Sequence, residues 1–309
     1  FFKQKTAYEI RNCDWSSDVC SSDLKDQKTR SEARSSNLVK GSKNAFRKQI
    51  RCSLEKSSPQ IQVKGMVIVK DQLDPNLRKL IKRKKQAAII PVGSIEQHGP
   101  HLPLSTDSDL VTEIAERVAK KGNFLLLPTI SYGVSFEHGP FFNLSIKPST
   151  LQKILSELCV SLGENGIKTI FVFNGHYTNQ KAIKNLSKIV KKLSRGKIRV
   201  FVFSYWNFMK ESFDHAGFVE TSLMLTVSDK VKMKLAKKGL VTEKMKPKEI
   251  SRIKKISTKS FPKATKNGVW GDPRKASKKH GVKIMSEIVK NLEKKCQTCL
   301  TAKNPKLHQ

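Results

Sequence analysis

The stretch Pro91-Val-Gly-Ser-Ile-Glu-Gln-His-Gly-Pro-His-Leu-Pro-Leu-Ser-Thr-Asp107 puts a carboxylate, an imidazole and a second carboxylate into one Gly/Pro-punctuated loop. Glu96 and His98 stand two residues apart, so an extended backbone projects both to the same side. Carboxylate with imidazole is the ligand chemistry of Zn, Mn or Fe(II), and catalytic sites of this kind keep one position open for water. The loop follows an apolar run, Ala87-Ala-Ile-Ile-Pro-Val92. In α/β proteins the loops leaving the carboxyl ends of buried strands hold the active sites. These residues point to a metallohydrolase.

Further candidates lie in later loops. His138, His176 and His215, like His98 and His101, each sit in a loop expected to follow a strand. Parallel strands deliver their carboxyl ends to one edge, so residues far apart in sequence can converge there. Glu220 lies just inside a helix whose approach carries Asp214 and His215. Glu96, His98, Asp107, His176 and Glu220 are the number of ligands expected for two metal ions sharing a bridging carboxylate. Asp107 alone reads equally well as a helix-capping residue; beside Glu96 and His98 it reads as a ligand. His101 and His138 read as structural or supporting groups, and Asn174 and Asn179 as braces of the loop between them.

The elements that must position these groups alternate in type. Strands are expected at 87–92, 124–130, 169–173 and 198–203. Helices are expected at 109–119, from a cap at Ser149 or Thr150 through Leu162, at 180–194, beyond Gly217, and at about 281–294. Repeated β-α-β units imply a mostly parallel sheet covered by helices on both faces. Residues 229–270 are basic and weakly patterned, and Cys296-Gln-Thr-Cys299 is an isolated pair in a polar tail, 296–309.

Residues 1–24 resemble translation of a sequencing adapter and are set apart from the fold. Residues 25–65 are Lys/Ser/Gln-rich and read as a disordered or non-native leader, with Met66 as the expected start. The chain has a formal net charge of +34, with 60 Lys and Arg against 26 Asp and Glu. Only 12 of those bases are Arg, and they are dispersed, so solvated Lys faces explain the charge better than nucleic-acid binding. Neither a signal peptide nor a run of membrane-spanning length is expected, and the cysteines form no disulfide framework, so the reading is a cytoplasmic protein.

Taken together the motifs resemble the creatininase (creatinine amidohydrolase) family. The resemblance rests on Gly93-Ser-Ile-Glu-Gln-His-Gly-Pro-His-Leu-Pro-Leu104 with Asp107, Asn174-Gly-His176 with Asn179, His215-Ala-Gly217 with Glu220-Thr-Ser222, and Gly268-Val-Trp-Gly-Asp-Pro273. It covers roughly 66–295. It implies a three-layer αβα sandwich with a mostly parallel central sheet, and a homo-oligomer, often a hexamer. It further implies two divalent metal ions that hydrolyse a C–N bond of a small-molecule amide or formamide. Carried over, Glu96, His98, Asp107 and His176 would be ligands with Asp107 bridging. Glu220 would complete the shell, His215 oriented by Asp214 would carry the proton, and Tyr177 and Ser131 would contact substrate. Such ions lower the pKa of bound water to ~7.

Two departures bear on substrate. Thr178 stands where creatinine-cleaving members have a ligand Glu, and Phe141-Phe-Asn-Leu144 replaces the usual Phe-Pro-Gly-Thr. Both argue against creatinine. Related members deformylate a ribosylaminopyrimidine nucleotide in archaeal flavin and deazaflavin synthesis, or trim a peptide for a redox cofactor. The Lys-rich chain favours the phosphorylated substrate. The rival class is a non-catalytic basic relative that binds nucleic acid, which would carry damaged ligands.

Overall fold

The computed structural model describes residues 67–83 and 87–301. The expectations for 1–24 and 25–65 lie outside the described residues. Five parallel strands form one sheet in the order β1-β3-β2-β4-β5. They are β1 (Val67–Ile68), β2 (Ala87–Val92), β3 (Leu125–Leu126), β4 (Thr169–Asn174) and β5 (Arg199–Ser204). Every residue of β2 and β4 is buried. A strand covered on both faces needs apolar side chains at odd and even positions alike, which is why these two read as continuous apolar runs.

The side-chain alternation sorts the strands' residues into two cores. Ala87, Ile89, Phe171 and Phe173 enter one, shared with α2 (Thr106–Gly122), α6 (Phe218–Val227) and α9 (Lys278–Thr301). Ala88, Ile90, Val92, Ile170 and Val172 enter the other, with α3 (Pro148–Glu164), α4 (Asn179–Ile183) and α5 (Leu186–Leu193). The architecture is the expected three-layer αβα sandwich. Helix α1 (Asp74–Arg83) packs Leu77, Leu80 and Ile81 on the second core. Helices α7 (Pro247–Ser257) and α8 (Phe261–Ala264) lie in the basic 229–270 stretch.

The register aligns Val92 with Asn174 and Asn174 with Ser204, so β2, β4 and β5 end level and release their loops at one edge. Several elements differ from expectation. β3 pairs over two residues only, because the chain then diverges and returns through a single bridge from Ile130 to Val92. Pro148 opens α3, so Lys147 and not Ser149 or Thr150 precedes it; Pro lacks the N–H that a first-turn residue leaves unused. The 180–194 segment is two helices meeting at Lys184–Asn185. Helix α9 runs on to Thr301 and buries Cys296 and Cys299, which the sequence reading left in a polar tail.

Candidate metal centre

The loop after β2 carries Glu96 and His98, and both are fully buried. His98 Nδ1 lies 3.0 Å from the backbone carbonyl of Glu96, so in the neutral imidazole a metal would need, Nδ1 holds the hydrogen and Nε2 is the free lone pair. That Nε2 sits 3.4 Å from Asp107 Oδ1 and 3.6 Å from Glu220 Oε2. These separations are too long for hydrogen bonds. They match the edge of a tetrahedron around an ion with ligands at ~2.0–2.1 Å, which is about 3.4 Å.

The loop after β4 supplies His176 in the opposite tautomer. Its Nε2 lies 2.9 Å from the carbonyl of Val134, and its Nδ1 faces Asp107 Oδ2 at 3.0 Å. The two oxygens of Asp107 therefore address two different imidazoles. Glu96 Oε2 lies 3.3 Å from His176 Nε2 and accepts the Ser94 hydroxyl at 3.0 Å. Two compact ligand sets result, His98–Asp107–Glu220 and Glu96–Asp107–His176, sharing Asp107. A third grouping, Glu96–His98–His215, overlaps both. His98 Nε2, Asp107 Oδ2, Glu96 Oε1 and Glu220 Oε1 are buried without a well-aligned hydrogen-bond partner. Such atoms are costly in a folded protein unless a cation satisfies them, so the residues fit divalent ions.

Close approach is built into the loops. A Cβ at Gly93 would collide with the backbone of Ser108, and one at Gly175 would meet the Asp107 carbonyl at 2.6 Å. Both glycines let the β2 and β4 loops close on the first turn of α2, where Asp107 sits. Asn174 Oδ1 accepts the His176 amide at 3.1 Å, and Asn179 donates to the Gly93 carbonyl at 3.0 Å, the bracing expected of them. Ala216, at φ 51°, turns its N–H onto Glu220 Oε2 at 2.6 Å.

Charge and burial oppose one another here. Burial works against a charge on His98, yet Glu220, Asp107 and Glu96 outweigh it and push its pKa up to about 10. Burial likewise opposes ionisation of Asp107, but His98 and His176 hold its carboxyl below the usual range. Burial raises Glu220 to about 8. His215 falls well below the ordinary value through burial and the nearby His98 and His138.

Asp214, His215, Tyr177 and His176 line one cavity of about 350 Å³ together with Asp107. Asp214 does not orient His215. Its two oxygens accept the amides of Val219 at 2.8 Å and Glu220 at 3.0 Å, so it closes the start of α6. Gln97 meets His215 Nε2 instead: its carbonyl at 3.1 Å accepts from a protonated Nε2, or its side-chain amide at 3.2 Å donates to a bare one, according to the tautomer. Ser131 is not part of the cavity lining; its carbonyl accepts the Ser108 hydroxyl. His101 bonds Thr221 Oγ1 at 2.9 Å, and burial lowers its pKa to about 4, as suits a neutral brace. His138 lies 3.1 Å from Glu96 Oε1.

Sequence reasoning missed Gln97, Glu137, Lys254 and Phe261. Gln97, between Glu96 and His98, carries the only signal of the four: its position in the loop.

Comparison with known proteins agrees with the geometry. A family model described as creatinine amidohydrolase matches residues 72–296. The chain belongs to the creatininase family. The activity named in the family model's description is that of an amidohydrolase, a hydrolase of C–N bonds. A creatinine amidohydrolase of Pseudomonas putida is 29% identical over 164 residues, 45% of this chain and 63% of that protein, just under two thirds of its length. A mycofactocin precursor peptide peptidase of Mycobacterium ulcerans is 29% identical over 217 residues, 65% of this chain and 80% of that one. A 2-amino-5-formylamino-6-ribosylaminopyrimidin-4(3H)-one 5'-monophosphate deformylase of Methanosphaera stadtmanae is 32% identical over 118 residues, 37% of this chain and 49% of the relative. A crystal structure of creatininase superposes with a TM-score of 0.66 at 24% identity, covering 77% of this chain and 99% of that one, which establishes the shared creatininase fold.

Proposed function

We propose that the protein hydrolyses the C–N bond of a small amide or formamide with two divalent ions, Zn, Mn or Fe(II), held by Glu96, His98, Asp107, His176 and Glu220. The observation that carries this reading is Asp107, whose two oxygens face the imidazoles of two separate ligand sets beside a cavity. Bound ions supply Lewis acidity and an ionised water at neutral pH. The chain's own groups do the rest. Asp107 bridges. His215, held by Gln97 and facing the cavity, carries the proton to the leaving nitrogen. Tyr177, Trp206 and Phe213 form an aromatic wall for a flat substrate, with ring centroids 4.6–6.4 Å apart.

The substrate we favour is a formamidopyrimidine nucleotide. Lys254, from the α7 side of the cavity, offers an ammonium to a phosphate. Thr178 and the altered Phe141–Leu144 stretch speak against creatinine itself, and the mycofactocin relatives make a peptide the second reading. A non-catalytic nucleic-acid-binding role is disfavoured by the complete ligand set. The same proposal includes a homo-oligomer, a hexamer in the form the resemblance implies, in the reducing cytoplasm. Cys159, Cys296 and Cys299 are free thiols. No helix among the described residues is long and apolar enough to cross a membrane.

Metal content of the purified chain, with turnover of a formamidopyrimidine nucleotide, creatinine and a peptide panel before and after chelation, tests the reading. Chelator-sensitive release of formate from the nucleotide is the expected result. Turnover indifferent to chelation would refute it.

A further inference from the structure

Three carboxylates line the cavity: Asp107, Asp214 and Glu137. Asp107 belongs to the ligand sets, and Asp214 is committed to the amides that start α6. Glu137 stands outside every compact ligand set among the described residues. It lies on the one-turn segment Phe136–His138 and is 7% exposed. The Thr178 hydroxyl donates to its carboxylate. The nearby imidazoles do not satisfy it. His176 Nε2 is 3.6 Å away and already meets the Val134 carbonyl, and His138 Nε2 is 3.9 Å away and closer to Glu96. A carboxylate 7% exposed at a cavity wall, with one hydroxyl donor, calls for further donors.

Those donors must come from whatever fills the cavity. A carboxylate fixed at its wall repels anionic groups and favours N–H groups. The surrounding walls are flat rings, with Phe261 stacked on His138 at 4.6 Å and Tyr177 parallel to Phe213.

We propose that Glu137 is a specificity residue, which accepts hydrogen bonds from N–H groups flanking the scissile amide of a flat, amino-substituted heterocycle. This deepens the amidohydrolase reading and rests on it. Thr178 positions the carboxylate, and the side of the cavity bearing Lys254 remains for an anionic arm.

The test uses the full chain loaded with Zn²⁺ and two probes. One is a formamidopyrimidine with an amino group on each side of the formamide; the other is the same ring with hydrogens there. Binding is measured by calorimetry, and formate release separately. The parent should bind the amino-flanked ring about 10–100-fold more tightly, the range for charge-assisted hydrogen bonds. Glu137→Gln should erase most of that preference, through KM and not kcat, with the ion count per chain unchanged. Thr178→Val should reduce it in part. An undiminished preference in Glu137→Gln, loss of ions in that variant, or binding of neither probe by the parent would each overturn the proposal. A normal binding preference without formate release would instead sink the amidohydrolase reading and leave Glu137's role standing.

Discussion

The shared carboxylate predicts how the protein divides its ion-linked stability. In Asp107→Asn the amide keeps the side chain's shape but offers neutral and partly donating atoms to both His98 and His176. Each ion present at a hundred times its Kd stabilises the folded state by about 2.7 kcal/mol, so two contribute about 5 kcal/mol. At ~2–4 °C per kcal/mol for a chain of this size, saturating Zn²⁺ or Mn²⁺ should raise the parent's Tm by about 10–20 °C over the chelated protein. Asp107→Asn should lose nearly all of that rise and both ions. His98→Ala dismantles the His98–Asp107–Glu220 set and the overlapping Glu96–His98–His215 grouping but leaves Glu96–Asp107–His176, and should keep one ion and about half the rise. Ion counts by mass spectrometry and melting curves with and without metal measure both quantities. If Asp107 were only a first-turn helix residue, its change would cost less than about 1 kcal/mol, equally with and without metal. Asp107→Asn retaining two ions and the full rise would refute the bridging argument.

Other expectations follow from single contacts. Gly175→Ala drives a Cβ toward the Asp107 carbonyl and Val111, so it should cost about 1–3 kcal/mol and reduce bound metal, read by denaturant titration and ion count. Asp214→Ala should destabilise by about 1–2 kcal/mol because two amides at the start of α6 lose their acceptor; unchanged stability would remove Asp214's capping role. Burial pushes the Cys159 thiol up to about 12 from 9.0. The folded state therefore holds its proton longer than the unfolded chain, so stability falls as pH rises from about 9 toward 12. Cys159→Ala should flatten that fall in denaturant titrations across the window, and the native thiol should resist alkylation. Lys254→Ala should raise KM for a phosphorylated substrate about tenfold and leave its dephosphorylated form unaffected.

The candidate ligands were legible in the sequence because the fold writes their context plainly. β2 and β4 are buried on both faces, so their residues run apolar without interruption, and each ends in a polar, glycine-bearing loop. The convergence of Glu96, His98, Asp107 and His176 followed from parallel strands ending level. What failed was whatever depended on side-chain direction. Asp214 beside His215 suggested a catalytic pair, but the turn into α6 sends its carboxylate to the Val219 and Glu220 amides. Gln97 lay within the matched motif without an assigned role, and it meets His215 Nε2. Glu137 was passed over because nothing local marks a carboxylate whose hydroxyl partner lies 41 residues away.

A different reason hid the far wall of the cavity, and it bears on how this protein chooses a substrate. The candidate ligands sit in loops after β2 and β4 and at the starts of α2 and α6, fixed by hydrogen bonds with Asn174, Asn179 and Ser94 and by two glycine contacts, with exposure between 0% and 4%. Hardly any side chain there can change without disturbing the core. Lys254, Ser257, Thr258 and Phe261 come instead from α7 and α8 and the link between them, and α7 buries no residue at all. An element that packs so little of its surface has few positions constrained by burial, so its sequence shows weak periodicity and reads as an unpatterned basic stretch. The same freedom lets the cavity wall vary at little cost to stability. Under the proposed function, bond cleavage belongs to the rigid sheet edge and recognition to the loosely packed α7 and to Glu137, so substitutions there should redirect specificity while leaving the ions in place.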